Sequence, residues 1–132
     1  MKKQITITAV LFLFILVLAG CNNDLENKFT FQNHSLGKVL VNFRGQLYSV
    51  DAGATFTIAD IPQGTYTYST TYQLPQGTTS STTEGDVSGS VVFVASTRIL
   101  VVYSSTFYEG AYVLYATISN SDDQTVDTGT TP

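Results

Sequence analysis

Side chains that perform acid–base or nucleophilic chemistry are scarce in this sequence of 132 residues. His34 is the only histidine, so a Ser-His-Asp triad would have to be built around it. Neither a nucleophile elbow nor a partner at a typical spacing accompanies it. It lies within Asn33-His34-Ser35, beside an expected turn. We therefore expect His34 to be a loop residue without a catalytic role, and we expect the protein not to be an enzyme.

Residues that could coordinate a metal ion are also few. One cysteine and one histidine cannot complete the tetrahedral ligand shell of zinc. Glu84 and Asp86, with Asp51 or Asp60, could bind calcium if their loops converge, although the sequence has no Asp-x-Asp-x-Asp-Gly loop. The simpler interpretation is that these carboxylates are solvated turn residues. We expect no metal site and no cofactor.

Tyrosine is the most ambiguous residue type, and the chain contains eight. Tyr66, Tyr68 and Tyr72 share one face of a predicted strand, where they could line the core or form an exposed platform for sugar rings or partner side chains. The core is the favoured interpretation for these three residues. Tyr108 and Tyr112 flank the last predicted turn, so they are the better candidates for exposed binding residues.

The single cysteine, Cys21, stands at the end of an apolar segment that has the layout of a secretory signal. Lys2 and Lys3 form a positive amino-terminal region, and residues 9–19 are apolar throughout. The stretch 5–20 is shorter than the roughly 20 residues that a membrane-spanning helix needs. Because one thiol cannot form an internal disulfide, a structural role does not explain the position of this cysteine.

The residues Leu18-Ala19-Gly20-Cys21 resemble the lipobox of bacterial lipoproteins, in which signal peptidase II cleaves before a lipidated cysteine. The resemblance implies cleavage between Gly20 and Cys21, and a covalent diacylglyceryl group, often with an N-acyl chain, on Cys21. Two or more acyl chains give stable anchoring in a membrane. Asn22 occupies the position where Asp favours the inner membrane. The resemblance therefore implies the outer membrane in a double-membraned host, and the outer face of the plasma membrane in a single-membraned one.

The cleavage site and the composition of the chain together divide it into four expected segments. We expect a signal peptide over 1–20, a lipidated tether over 21–26, a folded domain over 27–119 and a disordered polar tail over 120–132. The signal holds two of the six basic residues and none of the ten acidic ones, so the formal net charge would change from −4 to −6. Four scattered basic side chains do not form a nucleic-acid-binding surface. We therefore expect membrane contact through the lipid and no nucleic acid partner.

The segment after the tether has the period-two patterns of short β-strands separated by turns. Residues 38–50 are predicted to form a hairpin with a two-residue turn. The apolar runs 91–94 and 99–103 are predicted to be a central strand pair, and 78–83 a loop or an exposed edge strand. Seven or eight strands indicate an all-β fold, a small antiparallel β-sandwich. The expected core residues are Phe29, Phe31, Val41, Phe56, Ile58, Phe93, Ile99, Val101 and Val113.

A second resemblance covers residues 53–66. Ile61-Pro62-Gln63-Gly64-Thr65-Tyr66 resembles the turn "leucine, proline, any, glycine, any, tyrosine" of prealbumin-like sandwiches, such as carboxypeptidase regulatory-like and PEGA-type domains. The resemblance implies that Tyr66 re-enters the sheet aimed at the core. It also implies an envelope or accessory module, because those families are mostly non-catalytic.

These features together predict a non-catalytic, membrane-anchored lipoprotein that serves as an interaction or structural module of the bacterial cell envelope. Its partner would be an envelope protein or a glycan. The alternative is a carbohydrate-binding or adhesive module that uses exposed tyrosines.

Overall fold

The computed structural model describes residues 26–121, which form two β-sheets that enclose one core. The strands are β1 (Lys28–Asn33), β2 (Val39–Phe43), β3 (Gln46–Val50), β4 (Thr55–Ile58), β5 (Gly64–Tyr72), β6 (Ser80–Gly85), β7 (Ser88–Phe93), β8 (Arg98–Tyr108) and β9 (Ala111–Asn120). Sheet A has the order β4-β1-β8-β9-β6 and sheet B the order β3-β2-β5-β7. The predicted all-β sandwich is confirmed, with nine strands rather than seven or eight.

Several predictions concern residues outside the described part of the chain. These are the signal peptide over 1–20, the cleavage site between Gly20 and Cys21, the lipid on Cys21, and most of the tether and of the tail. They stay predictions. Within residues 26–121, no helix is long and apolar enough to cross a bilayer.

The strand pairings combine local hairpins with two long-range parallel contacts. The β2–β3 hairpin lies within the predicted range 38–50, and its turn residues Arg44 and Gly45 have φ angles of 55° and 75°. Five of the seven pairings between strands are antiparallel, as expected, whereas β1 pairs with β8 and β6 with β9 in parallel. Because β4 and β8 flank β1 on its two edges, the first strand of the fold is an interior strand.

Alternate side chains of the two sheets form the core, and most of the predicted core residues belong to it. The confirmed predictions are Phe29, Phe31, Val41, Ile58, Phe93, Ile99 and Val101. Phe56 is 37% exposed because β4 is the edge strand of sheet A. The prediction for Val113 is wrong. Successive side chains of β9 point to opposite faces, and it is the neighbours of Val113, Tyr112 and Leu114, that point inward and are fully buried.

The prediction that 91–94 and 99–103 form a central strand pair is wrong. The first run ends β7, which is the edge strand of sheet B, whereas the second lies in β8 at the centre of sheet A. The chain crosses between the sheets within a short turn, in which the Val94 amide donates to Thr97 Oγ1 at 3.0 Å. Val92 is 53% exposed because it points to the outer face of sheet B, whereas its neighbours Val91 and Phe93 point into the core.

The sandwich has two ends, which we call the proximal and the distal pole. The described chain begins at the proximal pole, where the β2–β3 turn, the β4–β5 connection and the β7–β8 connection also lie. The distal pole carries the loops 34–38, 51–54 and 73–79 and the β8–β9 turn. Since β8 has 11 residues, the poles are roughly 35 Å apart.

Candidate functional site

Three of the five tyrosines considered as binding residues face the core from β5. Tyr68 is buried, and Tyr66 and Tyr72 are partly buried and pack against the core cluster. The ring centroid of Tyr66 lies 5.5 Å from that of Phe43. These residues follow the favoured interpretation, and they do not form an exposed platform.

The hydroxyl groups of two buried tyrosines, Tyr68 and Tyr103, make hydrogen bonds that link separate parts of the fold. Tyr103 Oη in β8 and Thr70 Oγ1 in β5 share a hydrogen bond of 2.7 Å. Burial raises the pKa of the Tyr103 phenol to about 12. Burial also raises the pKa of Tyr68, with smaller contributions from Tyr103 and Asp86, and its hydroxyl donates to the Asp86 carbonyl oxygen. Both phenols therefore stay protonated at alkaline pH values at which an exposed tyrosine already ionises, and their hydroxyl groups act as structural links.

The structure separates the two tyrosines beside the last turn. Tyr108 is 73% exposed, as expected, whereas the expectation that Tyr112 is exposed is wrong, because it is fully buried. The reason is strand register. Tyr108 lies opposite Ala111 and shares its face, so Tyr112, the next residue, points to the other face. Its ring packs 5.7 Å from that of Tyr72, measured between centroids.

The candidate catalytic and calcium-binding residues do not assemble into a site. His34 is exposed on the β1–β2 loop, and its backbone amide donates to the Tyr103 carbonyl oxygen at 2.8 Å. Asp51 lies at the distal pole in an ion pair of 3.5 Å with Lys38, whereas Asp60 lies at the proximal pole. Among residues 26–121, no group of three or more His, Cys, Asp or Glu side chains could hold a metal ion.

Two buried asparagines at the ends of β1 were not singled out from the sequence. Asn27 accepts a hydrogen bond from the Thr97 amide at 2.7 Å and donates to the Ile61 carbonyl oxygen at 2.9 Å. Asn33 donates to the carbonyl oxygens of Gly37 and Val50, both at 2.9 Å. Asn27 therefore joins the start of β1 to the β4–β5 and β7–β8 connections, and Asn33 joins its end to the β1–β2 loop and to the last residue of β3. The alternation of side chains along β1 could have identified them from the sequence, because it places both asparagines on the same face as the core phenylalanines Phe29 and Phe31.

Two loops and the end of β8 present exposed apolar side chains at the distal pole. Leu36 is 61% exposed, Leu74 is 49% exposed, and Tyr108 precedes the β8–β9 turn. Backbone hydrogen bonds connect these loops, from the Gln73 amide to the Lys38 carbonyl at 3.0 Å and from the Thr79 amide to the Gly110 carbonyl at 2.7 Å. We call Leu36, Leu74 and Tyr108 the distal surface.

Comparison with known proteins assigns no family to this chain. No protein-family model matches it, and no curated protein sequence is significantly similar to it.

Proposed function

We propose that the protein is a non-catalytic lipoprotein, anchored in the membrane through a lipid on Cys21, that acts as an interaction module of the cell envelope. One observation carries the proposal. The described chain begins at the proximal pole, whereas the distal surface lies at the opposite pole. Residues 22–26 can span at most about 18 Å, so they would keep the proximal pole close to the bilayer. The distal surface would then project away from the membrane.

The chemistry of the distal surface supports a protein partner. Leu36 and Leu74 lie on loops that a backbone hydrogen bond joins, and exposed apolar side chains that form one patch mark interaction sites. Such loops are also the usual place for binding residues on a rigid scaffold. The alternative function, sugar binding by a strip of tyrosines, is less well supported, because Tyr108 is the one mostly exposed member of the five candidate tyrosines.

The lipid anchor is tested by the mass of the mature protein. We expect the wild-type chain to begin at Cys21 and to carry the added mass of its acyl chains, whereas Cys21→Ser should carry no such addition. Membrane fractions from the native host would be analysed by intact-mass spectrometry. A wild-type protein with an unmodified Cys21 thiol would contradict the proposal.

The distal surface is tested by site-specific photo-crosslinking in native cells. A photoreactive residue at Leu74 or at Tyr108 should capture the same envelope protein. The same residue at Val94, which is exposed at the proximal pole, serves as the control and should not capture it. The captured protein would then be purified, and its binding to Leu74→Asp should be lost. Failure to crosslink from both distal positions, or equal capture from Val94, counts against the proposal.

A further inference from the structure

Strand β5 extends beyond its neighbour β2 toward the proximal pole. β2 ends at Phe43, which lies opposite Tyr68, whereas β5 already begins at Gly64. Residues 64–67 therefore pair with β7 on one side and lie beside the β2–β3 turn on the other. The difference in strand length leaves a notch of about 570 Å³ that opens to solvent. Its lining includes Asn42, Arg44, Thr65, Tyr66, Thr67 and Ser69.

Arg44 is positioned at this notch by the hairpin turn and by an aromatic ring. It is the first residue of the two-residue turn, where it has a positive φ. Its guanidinium carbon lies 5.6 Å from the centroid of the Tyr66 ring, a cation–π contact. The Tyr66 hydroxyl donates to the Pro62 carbonyl oxygen at 2.7 Å and fixes the ring. Among residues 26–121, no carboxylate lies within ion-pair distance of Arg44.

The other lining groups are uncharged hydrogen-bonding groups. Asn42 contributes an amide, and exposed hydroxyls come from Thr65 and Thr67 on the outer face of sheet B. An arginine fork binds a carboxylate through two parallel hydrogen bonds, while amides and hydroxyls suit the hydroxyl groups of a sugar. None of the described lining residues is Leu, Ile, Val or Met, and the largest apolar groups in the lining are the rings of Tyr66 and Tyr68. This combination favours a saccharide over a peptide.

We propose that the notch binds an acidic saccharide whose carboxylate accepts hydrogen bonds from Arg44 and whose hydroxyl groups contact Asn42 and Thr67. The site differs from a tyrosine platform, because its recognition group is a cation and Tyr66 serves to hold that cation. It lies at the proximal pole, away from the distal surface. It also needs no lipid on Cys21, so its failure would leave the proposed function intact.

The proposal is tested with the full mature chain in detergent micelles. The probes are immobilised oligosaccharides that contain glucuronic, galacturonic or sialic acid, each compared with its carboxyl-reduced neutral counterpart. We expect at least one acidic probe to bind about tenfold or more tightly than its counterpart, since charge-assisted hydrogen bonds contribute at this scale. Arg44→Gln should lower that affinity about tenfold or more. Arg98→Gln, which changes an exposed arginine on sheet A, should leave it unchanged.

A second pair of variants tests the hydroxyl contacts on a single strand. Thr67→Val should weaken binding about fivefold, because it removes one neutral hydrogen bond. Thr71→Val serves as the control, since Thr71 is exposed on the same face of β5 and lies outside the notch lining. If Arg44→Gln disturbs folding, Arg44→Asn replaces it, because Asn adopts a positive φ readily. The proposal is overturned if no acidic probe binds, if neutral counterparts bind equally well, or if folded Arg44 variants bind like wild type.

Discussion

Two buried tyrosines on the inner face of sheet A differ in whether their hydroxyl group has a partner. Tyr103 Oη is bonded to Thr70, whereas Tyr112 Oη has no hydrogen-bond partner among the described residues. We expect Tyr103→Phe to lower the free energy of unfolding by about 1–2 kcal/mol. Tyr112→Phe should leave it unchanged or raise it by about 1 kcal/mol, because the variant buries no unsatisfied hydroxyl. Denaturant unfolding measures both, and equal losses would contradict the assignment.

The raised pKa of Tyr103 predicts how stability changes at alkaline pH. The folded protein holds this proton more tightly than the unfolded chain, whose tyrosine pKa is about 10. The stabilisation is therefore complete below about pH 10 and is lost as the pH rises toward about 12. The raised pKa of Tyr68 changes the stability in the same direction. We expect the free energy of unfolding to fall across this range, and to fall less steeply in Tyr103→Phe. Parallel curves for the two proteins would show that Tyr103 makes no such contribution.

At the scale of elements, the turn after β6 depends on a glycine for two separate reasons. Gly85 has a φ of 84°, and a Cβ atom there would overlap the carbonyl oxygen of Ala116 in β9. Gly53 has a similar φ of 82°, but a Cβ atom there would meet no atom within 4 Å. We expect Gly53→Ala to lower the free energy of unfolding by about 1 kcal/mol, because alanine is strained at a positive φ. Gly85→Ala should cost clearly more, as measured by thermal or denaturant unfolding, and equal costs would argue against the close contact.

The first strand depends on the asparagine at each of its ends. Asn33→Ala leaves the buried carbonyl oxygen of Val50 without its amide donor and the backbone amide of Ser35 without its acceptor, while the Gly37 carbonyl keeps the hydroxyl of Ser35. Each unsatisfied buried group costs about 1–3 kcal/mol, so we expect a loss of about 3 kcal/mol or more. Asn42→Ala, on an exposed position of β2, is the control and should change stability by about 0.5 kcal/mol or less. A similar small change in both variants would contradict a bridging role for Asn33.

At the scale of the whole molecule, the separation of the poles predicts a fixed orientation on the membrane. A fluorophore on Ala95→Cys, in the β7–β8 connection, should be quenched strongly by spin-labelled lipids. The same fluorophore on Glu109→Cys, roughly 35 Å away along the strands, should be quenched weakly. Lipidation would protect Cys21 from labelling. Equal quenching at the two positions would mean that the tether does not orient the sandwich.

Patterns within single segments were sufficient to predict the elements and much of the core. Phe29 and Phe31 alternate with polar residues because a strand turns successive side chains to opposite faces. The turn at Arg44 and Gly45 was predictable because a two-residue hairpin requires positive φ angles. These properties depend on neighbours along the chain, so the sequence alone determined the fold class.

The order of the strands in the sheets determines strand pairing and side-chain burial, which depend on residues that are distant in sequence. Lys28 pairs with Arg98, and no local pattern specifies such a pairing. The edge position of β4 exposes Phe56, and the register of the β8–β9 hairpin buries Tyr112 while it exposes Tyr108. The notch beside Arg44 exists because two adjacent strands differ in length. Burial depends on what covers a side chain, and that cover comes from residues far away in sequence, so only the tertiary structure could place the candidate sites.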